Sequence, residues 1–96
     1  GQQSFGVIDE APQEVRIRFK KEVAYLLKER RWHPTQTLKK LKNGDVILTM
    51  QAGGQDEIST WVLGWGPQAK ILSPPTLVKL VTAELAAAAR QYRLSR

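Results

Sequence analysis

The stretch EVRIRF, residues 14–19, decides the fold. It alternates strictly: Val15, Ile17 and Phe19 take one parity, and Glu14, Arg16 and Arg18 take the other. A strand sends successive side chains to opposite faces, so this pattern predicts a half-buried β-strand with one apolar face and one charged face. If the apolar face meets helices, the two arginines turn away from them. One pleat separates them, a gap of about 7 Å. That spacing suits two phosphates, or a phosphate and a carboxylate, because a guanidinium fork binds such groups in bidentate fashion.

The elements on either side follow from the same logic. KKEVAYLLKERR, residues 20–31, carries Val23, Leu26, Leu27 and Arg30 at helical spacing. Pro34 disfavours helical geometry at His33, so this helix is expected to end near Arg31 or Trp32. TQTLKKLKNGDVILTMQA, residues 35–52, reads as a hairpin. Asn43-Gly44 suits a tight two-residue turn with both residues at positive φ. Past the turn, Val46, Leu48 and Met50 share one face, while Ile47, Thr49 and Gln51 share the other. Leu38 and Leu41 before it break the alternation, which predicts a bulge or an edge strand.

Gly53-Gly54 ends that strand, and QDEISTWVLGWG, residues 55–66, follows as a helix. Ile58, Trp61, Val62 and Trp65 form its apolar stripe, Asp56 and Glu57 suit its positive N-terminal end, and Gly66-Pro67 stops it. The two tryptophans are therefore expected in the core rather than in a cofactor box. QAKILS, residues 68–73, is a short strand. Pro74-Pro75 open a last helix over about 76–92, with a stripe of Leu77, Leu80, Val81, Leu85 and Ala88 and with Arg90 and Arg93 near its negative end. The order strand, helix, strand, strand, helix, strand, helix predicts an α+β fold: a ferredoxin-like βαββαβ sandwich with an extra C-terminal helix. Helices cover one sheet face and leave Arg16, Arg18, Ile47, Thr49 and Gln51 on the other.

Composition narrows the chemistry. The 96 residues suit one small domain with one two-layer core. No apolar run approaches the roughly 18–20 residues that span a bilayer, and no signal-peptide pattern is present, so no membrane partner is expected. There is no cysteine, which excludes disulfide and thiolate chemistry and points to a cytoplasmic setting. One histidine without cysteine makes a poor zinc site, and neither metal nor cofactor is expected. The net charge of +6 favours anionic partners: nucleic acid, a nucleotide-like anion or an acidic protein surface. The charged sheet face carries no aromatic residue, so base stacking of the kind used by RNA-recognition motifs is disfavoured, whereas electrostatic backbone contact is compatible with it.

ERRWHPTQ, residues 29–36, concentrates special residues: two arginines, a tryptophan, the lone histidine and a proline. A structural reading works. Trp32 anchors the loop, Pro34 sets its exit, and Thr35, Gln36 and Thr37 satisfy loop amides. The functional alternative is anion binding through Arg30, Arg31 and His33. No serine–histidine–acid or cysteine arrangement accompanies His33, so no catalytic residue is nominated. An acylphosphatase-like sandwich would need a phosphate-cradling loop after the first strand, but Lys20-Lys21 follow Phe19 without glycine. The chain is not expected to be an enzyme.

Taken together, VRIRF (15–19), RRWHPTQ (30–36), the Asn-Gly-Asp hairpin (43–45), WVLGWG (61–66) and ILSPPTL (71–77) resemble, in matching order, the WCX domain. This is the C-terminal extension of WYL-domain bacterial transcriptional regulators. The resemblance runs from about Ser4 to Arg93, and SFGVI (4–8) resembles the join to the WYL domain. The chain departs from the family at Trp65, where phenylalanine is common, and in a slightly trimmed QAGG (51–54). The resemblance implies a parent with an N-terminal helix-turn-helix that reads DNA, a middle WYL domain and this module. It implies a role in regulation, dimerisation and ligand sensing, with the chain's own WYL domain and a second subunit as partners. Arg16, Arg18, Arg30 and Arg31 match basic positions of the family pattern. On this reading residues 1–12 are a linker from a missing upstream WYL domain, residues 13–96 are the domain, and the start at Gly1 suits a piece of a longer protein. The alternative is an autonomous domain binding anions or single-stranded nucleic acid on its basic sheet face.

Overall fold

A computed structural model describes residues 10–92. Its elements run β1 (Gln13–Phe19), α1 (Lys21–Lys28), β2 (Thr37–Lys40), β3 (Val46–Ala52), α2 (Gln55–Leu63), a 3-10 turn (Gly66–Gln68), β4 (Ala69–Ser73) and α3 (Pro75–Gln91). The strands form one antiparallel sheet in the order β2-β3-β1-β4. This is the ferredoxin-like arrangement with an added C-terminal helix. Phe5, Val7, Ile8 and Arg93 lie outside the described residues.

Register explains why one face is dry. Val15 pairs with Met50, Ile17 with Leu48 and Ile71, and Phe19 with Val46 and Ala69. Directly paired residues share a face. Val15, Ile17, Phe19, Leu48, Met50 and Ile71 meet Leu27 of α1, Ile58 and Val62 of α2, and Leu77 and Val81 of α3 in a single core. All three helices therefore cover the same side. Phe19, Trp32, Trp61 and Trp65 extend this core as a ring cluster, with Phe19–Trp65 centroids 5.1 Å apart and Trp32–Trp61 centroids 5.2 Å apart. The Phe19–Trp65 pair is edge-to-face and the Trp32–Trp61 pair is tilted; aromatic pairs of this kind add about 0.5–1.5 kcal/mol each beyond area burial.

Four boundaries differ from the sequence expectation. Helix α1 stops at Lys28 rather than near Arg31, because the amides of Trp32 and His33 both turn to the Gln36 side-chain oxygen. Helix α2 stops at Leu63, with Gly64 as its cap, yet the turn that follows keeps Trp65 against the core. The hairpin closes over Leu41–Asp45 rather than over two residues. Gly44 donates to the Leu41 carbonyl, Leu41 donates to the Asp45 carbonyl, and Gly44 is the glycine of the loop that takes positive φ, at 95°. The stripe of α3 touches the core through Leu77, Leu80 and Val81, while Leu85 is 53 % exposed and Ala88 is exposed. A 17-residue helix is about 25 Å long, and the five-residue strand beneath it spans about 17 Å, so the helix outruns its support. As the broken alternation predicted, β2 is an edge strand.

Helix α2 also draws a cap from a distance. Gly54 at its N-cap sits at φ 73° and offers no side chain. Glu10 supplies the acceptor instead, with Oε1 3.1 Å from the amides of both Gly54 and Gln55. The carboxylate adds to the Asp56 and Glu57 charges at the positive helix end. Gly53 leaves the room this needs, since a Cβ there would stand 2.7 Å from the Glu10 carbonyl oxygen.

Candidate functional site

The sheet face opposite the helices carries two cross-strand rows. Lys39, Ile47, Arg18 and Lys70 pair in sequence across all four strands. Thr37, Thr49, Arg16 and Ser73 form the next row. The two guanidinium groups thus lie off the helix-packed side, as the alternation predicted. Parity from the hairpin and the last strand adds Lys39 and Lys70 to that wall. Ile47 is 9 % exposed although no helix lies over it. It is flanked in its row by Lys39 and Arg18, whose aliphatic stems can cover it while their heads stay wet.

Asp45 is the group that sequence reading missed. It stands at the end of the β2–β3 loop and accepts from Arg18 Nε at 2.9 Å, with Nη2 also 2.9 Å away. Its other oxygen accepts from the Lys21 amide at 2.9 Å, the first residue of α1. Its own amide donates to the Asn43 side chain at 2.9 Å. One carboxylate therefore ties the hairpin to the end of β1 and to the start of α1. Burial pushes the Asp45 carboxyl up, but the hydrogen bonds involving Asn43, Arg18 and Lys21 and the Arg18 charge outweigh it and hold the group below the ordinary carboxylate range. Among the described residues this is the one ion pair. The signal was the Asp that follows Asn-Gly, but its meaning depends on β3 pairing with β1.

The corner at residues 29–36 is a separate place. Arg30 and Arg31 are exposed and lie beyond the end of α1. The Arg30 guanidinium stacks over Trp32 at 4.3 Å, and Arg31 donates to the Pro34 carbonyl at 3.1 Å. His33 is buried at 1 % exposure. Its Nδ1 accepts the Thr35 amide at 3.2 Å and lies 2.9 Å from the Thr35 hydroxyl. That fixes Nδ1 as the acceptor and places the neutral ring's proton on Nε2, which is buried without a hydrogen-bond partner. Burial lowers the His33 pKa below its ordinary value. The Thr35 hydroxyl also accepts the Gln51 amide at 2.8 Å, which pins the corner to β3. The five sequence candidates therefore fall into two groups: Arg16 and Arg18 on the sheet, Arg30 and Arg31 on the corner with His33 beneath the surface.

Among the described residues no group of three or more His, Cys, Asp or Glu could hold a metal ion. No described helix is long and apolar enough to cross a membrane. The sequence profile of the WCX domain family matches residues 11–89. No curated protein matches the chain significantly.

Proposed function

The chain belongs to the WCX domain family, and from that membership we propose that it is the C-terminal regulatory module of a WYL-domain helix-turn-helix transcriptional regulator. The module docks through its basic sheet face against an acidic surface of the regulator's own WYL domain or second subunit, and contributes to sensing a ligand. It has no catalytic role of its own, and DNA is read by the helix-turn-helix elsewhere in the parent. The observation that carries the docking is the helix-free wall of Lys39, Arg18, Lys70 and Arg16 around a buried Ile47. An apolar residue flanked by Lys39 and Arg18 on an open sheet suits a polar, salt-sensitive interface.

The deciding experiment pairs the chain with the WYL domain of its parent and measures their affinity by calorimetry. Binding is expected to weaken as salt rises, and Arg16→Glu with Lys39→Glu should weaken it at least about tenfold. Undiminished binding in that double variant would remove the docking surface. A parent sequence without WYL and helix-turn-helix segments would remove the whole assignment.

A further inference from the structure

On the side of the molecule away from the basic wall, α2 and α3 start side by side. Gln55 Nε2 donates to Thr76 Oγ1 at 3.0 Å and ties their first turns together. The helices return from β3 and β4, which both run antiparallel to β1, so they point in the same sense. The groove between them opens into a cleft of about 420 Å³, lined by Asp56, Ser59, Thr60, Leu63, Leu80 and Glu84. That volume falls in the range of small-molecule sites. No lysine or arginine lines it, although the chain carries a net charge of +6.

Asp56 follows Gln55 directly, whereas Glu84 stands two turns beyond Thr76. At a rise of about 1.5 Å per residue, the two carboxylates mark opposite ends of the cleft, about 10 Å apart along the helices. Neither is ion-paired with a described residue. Leu63 and Leu80, both half-buried, supply the apolar surface of the cleft. Ser59 is the group that asks for a ligand. It is 3 % exposed, and its hydroxyl makes no hydrogen bond with a described residue. Buried polar groups seldom go without a partner. The polar atoms sealed in without one are Trp32 Nε1, His33 Nε2 and Gln68 Oε1, so the Ser59 hydroxyl keeps its opening to the cleft it lines. Ser59 lies one turn from Asp56 on the same helix face, which brings hydroxyl and carboxylate to one end of the cleft. The neighbouring Thr60 hydroxyl is already committed, donating to the Asp56 carbonyl at 3.1 Å.

We propose that this cleft binds a linear aliphatic diamine in its doubly protonated form. One ammonium group donates to the Asp56 carboxylate and the Ser59 hydroxyl, the other donates to Glu84, and the methylene chain between them lies on Leu63 and Leu80. An alkyl amine with a pKa like that of lysine, about 10.4, carries both charges at neutral pH. Carboxylates at opposite ends of an apolar surface select for length and for a charge at each end, whereas a compact divalent ion reaches only one of them. The cleft lies across the sheet from the basic wall. It does not rest on the docking proposed above, and either can fail alone.

Amide NMR of the chain at low salt tests it, with heptamethylenediamine as probe. Saturable shifts are expected at Asp56, Ser59, Leu80 and Glu84 with a Kd of about 1 mM or tighter. Heptylamine, with one ammonium group, should bind at least about tenfold more weakly, as should tetramethylenediamine, which is too short for both carboxylates. The Asp56→Asn, Glu84→Gln double variant should weaken the heptamethylene compound by the same factor. If that variant loses its dispersed spectrum, Glu84→Gln, a single change at an exposed residue, decides by the same weakening. Ser59→Ala should weaken it about threefold through the lost acceptor. Equal binding of heptylamine and the diamine, the same shifts with magnesium ions, undiminished binding in the carboxylate variants, or no shifts at about 10 mM would overturn the proposal. So would a trilysine peptide that binds more tightly than the diamine, since it would assign the cleft to a protein partner.

Discussion

Two polar hubs hold this small fold, and they solve the same problem in opposite ways. At the hairpin, Asp45 is charged, sits 8 % exposed at the rim of the sheet and accepts from a guanidinium and a helix amide. At the corner, His33 is neutral, is 1 % exposed and has one ring nitrogen satisfied and one orphaned. Both tie a loop to a strand pairing. The charged hub gains from its partner's opposite charge and stays near water. The neutral hub is buried, and among the described residues no ion pair reaches it. Hydrogen bonds and the Arg18 charge favour the carboxylate at one hub, and burial opposes protonation of the imidazole at the other.

The comparison can be broken most sharply at Gln36. Its side-chain oxygen takes the amides of Trp32, at a short 2.6 Å, and of His33 at 3.0 Å. Gln36→Leu strands both and should lower unfolding free energy by about 2–3 kcal/mol in a urea titration. Gln36→Glu, which keeps an acceptor, should cost less.

A pH series on the wild type separates the hubs next. The folded pKa of His33 is depressed, so the unfolded chain binds more protons in the window below its ordinary value. Stability is fully present above about pH 6.5 and falls as pH drops toward the folded value. Asp45 is depressed too, so its contribution is present above about pH 4 and is lost only at more acid pH, as the folded carboxyl takes a proton. Two separated declines in the urea midpoint are expected. His33→Gln should flatten the upper one, and Asp45→Asn the lower; one merged decline in both variants would show that the hubs are not independent.

Two smaller tests sharpen the contrast between charge and packing. Glu10→Gln keeps an acceptor at the start of α2 but drops the charge, and should cost about 0.5–1 kcal/mol, diminishing with salt. Arg30→Ala should cost about 0.5–1 kcal/mol through the lost cation–π contact, with a shift in tryptophan emission.

The alternation of residues 14–19, the Asn-Gly signal and the stripe of α2 determined the fold class, the face on which Arg16 and Arg18 stand, and the aromatic core, because each depends only on neighbours along the chain. The corner read correctly as a Trp32 anchor, but its helix ended three residues early, because Gln36 reaches back for amides that a helix would have used. The halves of the candidate site were unequal in the same way. The arginines were legible from parity. Asp45 was not, since it meets Arg18 only once β3 pairs beside β1. Likewise the overhang of α3 past Val81 came from the length of the strand beneath it rather than from the helix's own pattern. The sequence by itself set which side chains are apolar and how they alternate. Which charges meet was decided only by tertiary structure, because an ion pair, a cap or a cleft needs groups far apart in the chain to be brought within a few ångströms.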